Sequence, residues 1–181
     1  LHDALPISEV HRYEENKDNQ NIISYFGKMS YPANAEAAIW FSNNVFPIIQ
    51  KEIPESKFYI VGKDPSKNLL NLSESNSNIV VTGTVDAIED YYKQTDLVVV
   101  PLNHGGGVKV KVLEALGYGK LVISTVKGIE GTIFRNQAEL LTAESATDFA
   151  YICINALQNF SYYEGIRKCG YENIRKNFTW K

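Results

Sequence analysis

The chain has 181 residues, of which 44% are hydrophobic and 22% charged, and its formal net charge is -3 at pH 7. This length allows one domain with a hydrophobic core of its own. The slightly acidic charge excludes a general electrostatic affinity for nucleic acid, so we expect no nucleic-acid partner. No apolar run approaches the roughly 20 residues of a membrane-spanning helix.

We expect the first eight residues to differ in origin from the rest of the chain. Residues 1–8, LHDALPIS, match one translated frame of a common sequencing adapter, CTACACGACGCTCTTCCGATCT, followed by the first base of a serine codon. We therefore expect this segment to be non-native and exclude it from the fold. Residues 9–21 are polar and aperiodic, which predicts a linker or the remnant of a preceding N-terminal domain.

From residue 22 onward, short apolar runs alternate with helix-like stretches. The runs are apolar on both faces and rich in β-branched residues, as is typical of buried parallel strands. Their alternation with helices predicts an α/β fold, a Rossmann-like doubly wound parallel sheet of about six strands with flanking helices. The predicted strands are IISYFG, KFYIVG, NIVVTG, DLVVVP and KLVIST, with ELLTA as the sixth.

Helix boundaries are predicted from capping residues and proline. The first helix is expected to begin near Asn34 as its N-cap, and Pro47 to kink or divide it. Asp86 is the expected cap of the short helix in DAIEDYYKQT. Two further helices are predicted at about 145–159 and 161–176.

Glycine-containing turns follow several predicted strands. In such a sheet ligands bind beyond the carboxyl ends of the strands, and glycine lets backbone N–H groups come close to a ligand. A single glycine turn needs no such explanation, but several together favour a crevice of nucleotide size. The turns are Gly27-Lys28, Gly62 to Pro65, Gly83 to Val85, His104 to Gly107, and Lys127 to Gly131.

The segment NHGGG precedes a helix predicted to start near Val108. A helix N-terminus behind a glycine loop is suited to binding an anion. On an ideal helix Lys111 and Glu114 fall on the face opposite the core stripe of Val108, Val112, Ala115 and Leu116. They form either a solvated ion pair, which the spacing alone favours, or a cation for phosphate beside a carboxylate for sugar hydroxyls. The segment matches neither a P-loop nor the G-x-G-x-x-G fingerprint.

Taken in order, the motifs FGKMSYPANAEAAIWF, FYIVGKDP, NIVVTGTVDAIEDYYKQTDLVVVPLNHGGGVKVKVLEALGYGKLVIST and VKGIEG resemble one known family. Residues 22–181 are similar to the C-terminal domain of a glycosyltransferase of GT-B fold, more narrowly of glycosyltransferase family 4, the glycosyl transferases group 1 type. The resemblance implies two Rossmann-like domains with the active site between them. The C-terminal domain would hold a nucleotide-diphosphate sugar as donor substrate, and this fragment alone is expected to be inactive.

The resemblance has further implications for chemistry and partners. It implies transfer with retention, no metal and no cofactor, and an acceptor domain N-terminal to this one. It also implies a cytoplasmic enzyme of polysaccharide or glycolipid synthesis, and it allows peripheral membrane association of the full-length protein. Catalytic cations for the leaving diphosphate would be Lys111 and Lys109. The donor-binding residues would be Gly27, Lys28, Gly83, Val85, His104, Gly105, Gly106, Gly107 and Glu114, with Glu114 on the ribose hydroxyls.

Two positions depart from the family pattern. Gly106 lies where the family often carries a first glutamate, and Ala33 lies where a lysine is expected after the basic residue at Lys28. A non-catalytic nucleotide-sugar-binding module is therefore an alternative to the enzyme fragment. An unrelated flavodoxin-like or receiver-like domain is a third interpretation.

Overall fold

The computed structural model describes residues 11–14, 19–105 and 110–178. They contain one parallel six-stranded sheet in the order β3-β2-β1-β4-β5-β6, which confirms the predicted Rossmann-like architecture. The strands are β1 Ile22–Phe26, β2 Lys57–Val61, β3 Ile79–Gly83, β4 Leu97–Val100, β5 Leu121–Thr125 and β6 Leu141–Ala143. Every residue of β1, β4 and β5 is buried, as expected for strands covered on both faces.

Seven α-helices flank the sheet in the described part of the chain. They are α1 Pro32–Trp40, α2 Phe46–Glu52, α3 Lys67–Ser75, α4 Ile88–Gln94, α5 Val110–Gly117, α6 Ala146–Gln158 and α7 Glu164–Asn177. A 3-10 turn, Phe160–Tyr163, joins the last two. The start of α6 is well capped, because Ser145 Oγ accepts a hydrogen bond from the Asp148 amide at 3.1 Å. No helix among the described residues combines the length and the apolar character needed to cross a bilayer.

Two predicted helix caps are wrong. Helix α1 begins at Pro32 with Tyr31 in the capping position, because proline supplies a helix-compatible φ and has no N–H that needs a partner. Asn34 consequently lies within the first turn of α1. Helix α4 follows Ala87 without a side-chain cap, and its first turn carries Glu89 and Asp90, which favour a helix N-terminus electrostatically.

The predicted division of the first helix at Pro47 is confirmed. A π-helical segment, Phe41–Val45, separates α1 from α2. Pro47 lies in the first turn of α2, just after this segment, as expected because proline cannot donate to a carbonyl of the preceding helical turn.

The segment before β1 packs against the domain. The Tyr171 hydroxyl donates to the His11 carbonyl at 2.8 Å, and Arg167 donates to the Glu14 carbonyl at 3.1 Å. The His11 ring stacks on Tyr118 with ring centroids 4.0 Å apart. Residues 11–14 are therefore fixed to α7 and to the turn that follows α5.

The sheet opens at its centre. β1 pairs with β2 through five residues, but with β4 through two, Ile23 with Leu97 and Ser24 with Val98. Both pairs lie toward the amino ends, so β1 and β4 separate toward their carboxyl ends. The direction of strand addition reverses at this point, and open α/β sheets bind ligands in such a crevice.

Candidate functional site

A cleft of about 650 Å³ lies beyond the carboxyl ends of β1, β2 and β3. Helix α5 borders it on the side of β4, so the cleft adjoins the opening between β1 and β4. Its lining residues are Phe26, Gly27, Lys28, Tyr31, Asn34, Val61, Gly62, Lys63, Thr84, Val85, Ile88, Val110, Lys111 and Glu114. They include three lysines and one carboxylate, so the lining is positively charged.

The structure brings five of the predicted site residues together in this cleft: Gly27, Lys28, Val85, Lys111 and Glu114. They come from the turns after β1 and β3 and from α5, and are distant in sequence. Gly83 ends β3 directly before Thr84, which lines the cleft.

Two predicted residues lie elsewhere in the described structure. The exposed side chain of His104 contacts Glu36 of α1 rather than the cleft. Gly105 has a φ of 103°, and a Cβ placed there would lie 3.5 Å from the Ala33 Cβ. The loop after β4 therefore packs against the start of α1. Gly106, Gly107 and Lys109 fall outside the described residues.

Lys111 joins three elements of the fold. Its ammonium donates to Asn34 Oδ1 of α1 and to the Tyr25 hydroxyl of β1, the latter at 3.2 Å. It also lies 5.0 Å from the centre of the Tyr25 ring. Burial raises the pKa of Tyr25, so its phenol stays protonated and donates to Asn34 Oδ1 at 2.9 Å. The cation is thus held in one orientation at the cleft wall.

Glu114 is the carboxylate of the cleft. Burial raises the pKa of Glu114 above its ordinary value, and the positive charge of Lys111 opposes that rise. Both side chains line the cleft. A carboxylate in this partly buried position can accept hydrogen bonds from ligand hydroxyls, while Lys111 can meet a phosphate.

The floor of the cleft depends on Gly62. Its φ is 150°, and a Cβ added there would lie 1.8 Å from the Gly27 carbonyl oxygen. The ends of β1 and β2 therefore approach more closely than any side chain allows. On the rim, Lys28 lies 4.0 Å from Asp64.

Sequence reasoning missed Asn34 and Tyr25 as site residues. Asn34 accepts from the Lys111 ammonium and donates to the Lys28 carbonyl at 2.9 Å, so it holds one cation and the backbone of the turn after β1. Its interpretation as a helix cap concealed this role. Proline at position 32 is the signal that would have placed it inside the helix.

Residues 20–159 match the family model described as glycosyl transferases group 1. The chain belongs to this family. A curated relative that aligns with nearly the whole chain is the 44.6 kDa protein in the cps region of Klebsiella pneumoniae, which is 26% identical over 185 residues. That match covers 98% of this chain and 47% of the relative, so the chain spans about half the length of the curated relative it matches.

Solved structures share the fold of this glycosyl transferases group 1 domain. TarM superimposes with a TM-score of 0.75 at 15% identity, over 94% of this chain and 35% of TarM. The C-terminal domain of LpcC from Francisella tularensis gives a TM-score of 0.72 at 17% identity, over 92% and 95% of the two chains. Anabaena HepE in complex with UDP-glucose gives 0.74 at 14% identity, over 89% and 45%. The domain has the fold of one lobe of a GT-B glycosyltransferase.

Proposed function

We propose that this domain is the donor-binding half of a glycosyltransferase of family 4. The enzyme transfers a sugar from a nucleotide-diphosphate sugar to a glycan or lipid-linked acceptor, with retention and without a metal. The observation that carries the proposal is the placement of Lys111 beside Glu114 in the cleft of a glycosyl transferases group 1 domain. The complex of Anabaena HepE with UDP-glucose makes uridine nucleotides the first donors to test.

The proposed chemistry uses the charge of the cleft. As the bond between the anomeric carbon and the diphosphate oxygen breaks, the leaving diphosphate gains negative charge. Cations already oriented toward that charge lower the barrier, because they need no reorganisation during the reaction. Lys111, which Asn34 and Tyr25 hold in place, would be such a cation. Glu114 would hold the ribose hydroxyls, and Lys28 and Lys63 would add positive charge at the rim.

In the proposed enzyme, acceptor binding takes place on a domain other than this one. An N-terminal domain supplies the acceptor site, and the full-length protein works in the cytoplasm with peripheral association to a membrane. The isolated domain binds donor without turnover. A non-catalytic nucleotide-sugar-binding module is the second candidate, favoured by Gly106 at the place of the family's first glutamate. Turnover by the full-length protein separates the two.

The test is isothermal titration calorimetry of the domain with UDP, GDP, ADP and their sugar conjugates. Wild type is compared with a Lys111→Ala/Glu114→Ala double variant. A Lys51→Ala/Glu52→Ala double variant on the exposed face of α2 is the control, because it removes the same two charges away from the cleft. We expect one diphosphate to bind wild type and control, and binding to be lost in the cleft variant. Equal affinities in all three folded proteins would contradict the proposal.

A further inference from the structure

A second concave surface lies on the opposite flank of the sheet, beside the edge strand β6. Helix α6 and the 3-10 turn after it form a trough of about 660 Å³, lined by Tyr151, Ile152, Asn155, Asn159, Tyr162 and Tyr163. An adjoining groove of about 670 Å³ shares Ile152, Tyr162 and Tyr163 with it. The groove continues across β6 with the polar side chains of Asn136, Gln137, Thr142, Glu144 and Asp148. We call the continuous surface the aromatic trough.

Two tyrosines of the aromatic trough are exposed, and one of them packs against a third whose hydroxyl is hydrogen-bonded. Tyr162 is 81% exposed and Tyr151 65%. The Tyr163 hydroxyl donates to Asn155 Oδ1 at 2.6 Å, which fixes the Tyr163 ring over α6. Tyr162 meets that ring edge to face, with centroids 5.2 Å apart and planes at 84°. Aromatic surface held rigidly loses little conformational entropy when it binds a ligand.

The charge of the aromatic trough restricts its ligand. Its lining contains no lysine, arginine or histidine among the described residues, and it contains the carboxylates of Glu144 and Asp148. A phosphorylated ligand, a nucleic acid or an anionic membrane surface would be repelled. Tyrosine rings offer flat apolar faces, while the amides of Asn155, Asn159 and Gln137 both donate and accept hydrogen bonds. A neutral saccharide matches both features, because it has apolar C–H faces and many uncharged hydroxyl groups.

We propose that the aromatic trough binds a segment of a neutral oligosaccharide chain at a site separate from the donor cleft. The two sites share no described residue. β6 is three strands away from β1, a separation of ~14 Å across the sheet at the usual strand spacing. A glycan in the trough therefore does not compete with a nucleotide. The inference does not depend on the proposed donor binding.

The test begins with an array of neutral oligosaccharides, probed with the 181-residue chain. Glycans that bind are titrated in solution by ligand-detected NMR, against wild type, Tyr162→Ala and Tyr31→Ala. Tyr31 is the matched control, because it is an exposed tyrosine in the lining of the donor cleft. UDP titrations of the same three proteins are run in parallel, and sedimentation gives the oligomeric state of each.

We expect at least one neutral glycan to bind wild type. Its affinity should be about tenfold lower for Tyr162→Ala and unchanged for Tyr31→Ala. Nucleotide affinity should be unchanged in Tyr162→Ala. Absence of binding to every neutral glycan by folded protein overturns the proposal, as does equal glycan affinity in Tyr162→Ala and wild type. A dimer that Tyr162→Ala dissociates also overturns it, because the trough would then be an interface between two copies. Loss of nucleotide binding alone would bear only on the donor cleft.

Discussion

Lys111 donates a hydrogen bond to Asn34 across the opening between β1 and β4, so the helix after β4 is tied to the helix after β1. The Tyr25 hydroxyl supports the same ammonium group from the sheet. The cation therefore has a fixed position on the cleft wall before any ligand arrives.

Replacing Lys111 by Met should remove the principal cation of the cleft while keeping the length of the side chain. A charge-assisted hydrogen bond to phosphate contributes about 1.5–3 kcal/mol, so affinity for the nucleoside diphosphate that binds wild type should fall roughly 10- to 100-fold. Calorimetric titration measures the change. Lys51→Met, on the exposed face of α2, should bind like wild type. An unchanged affinity in Lys111→Met would show that this cation does not meet the ligand.

Asn34→Asp should weaken the same interaction by a different route. A carboxylate at position 34 would pair with Lys111 and compete with the ligand for its charge, so we expect affinity to fall about tenfold. Asn44→Asp is the matched control. Asn44 donates to the Trp40 carbonyl at 3.0 Å much as Asn34 donates to the Lys28 carbonyl, but it is exposed and remote from the cleft. Equal losses in the two variants would exclude a specific effect on Lys111.

The strands of this fold could be predicted because strands buried on both faces are short apolar runs rich in β-branched residues, and such runs are visible in the local sequence. The role of Asn34 could not, since its partner Lys111 is 77 positions away in sequence. The placement of His104 depends in the same way on Glu36. The helical spacing correctly predicts that Lys111 and Glu114 share one face of a helix, but it does not show whether that face meets solvent or a cleft. The face meets a cleft because β1 and β4 separate toward their carboxyl ends, which only the three-dimensional structure shows.

Glu114→Gln should stabilise the fold while weakening donor binding. The folded-state pKa of Glu114 is raised above 4.5, so the folded protein binds this proton more tightly than the unfolded chain. The stability of wild type therefore decreases as pH rises from 4.5 through the raised pKa, and the variant should lack this decrease. Urea unfolding at pH 4.5 and pH 7.5 measures the difference between the two proteins. Parallel pH dependences would contradict the prediction.

Gly62→Ala should disrupt the floor of the cleft. The added Cβ would overlap the Gly27 carbonyl oxygen, and a φ of 150° is itself unfavourable for alanine. We expect a loss of more than about 3 kcal/mol in the free energy of unfolding. The control is Gly165→Ala in α7, where the added Cβ meets no atom within 4 Å. That variant should be more stable than wild type by about 0.4–1 kcal/mol. Similar stabilities of the two variants would disprove the steric argument.

Lys120 should give the fold a pH dependence on the alkaline side. Burial and the neighbouring charge of Arg167 lower its pKa to about 8, although Asp96 and Glu14 act in the opposite direction. Its ammonium donates to the Thr95 carbonyl at 2.9 Å. Because the unfolded chain keeps this proton to higher pH, the free energy of unfolding should increase as pH rises from 8 toward 10.5.

A Lys120→Met variant isolates this contribution. Between pH 7 and pH 9 wild type should gain about 1 kcal/mol relative to the variant, because other titrating groups are common to both proteins. Urea unfolding at the two pH values provides the comparison. The variant is expected to be less stable overall, since the Thr95 carbonyl loses its donor, but only the pH-dependent difference tests the assignment. Identical pH profiles would refute it.

The narrow pairing of β1 with β4 divides the chain into two consecutive parts. β1, β2 and β3 belong to the first part, and β4, β5 and β6 to the second. A molecule that filled the cleft would touch Lys28 and Val85 of the first part and Lys111 and Glu114 of the second. Its binding energy would therefore resist separation of the two parts, in addition to any role in catalysis. Amide hydrogen exchange along β1 and β4 should slow on ligand binding more than exchange along the outer edge at β6.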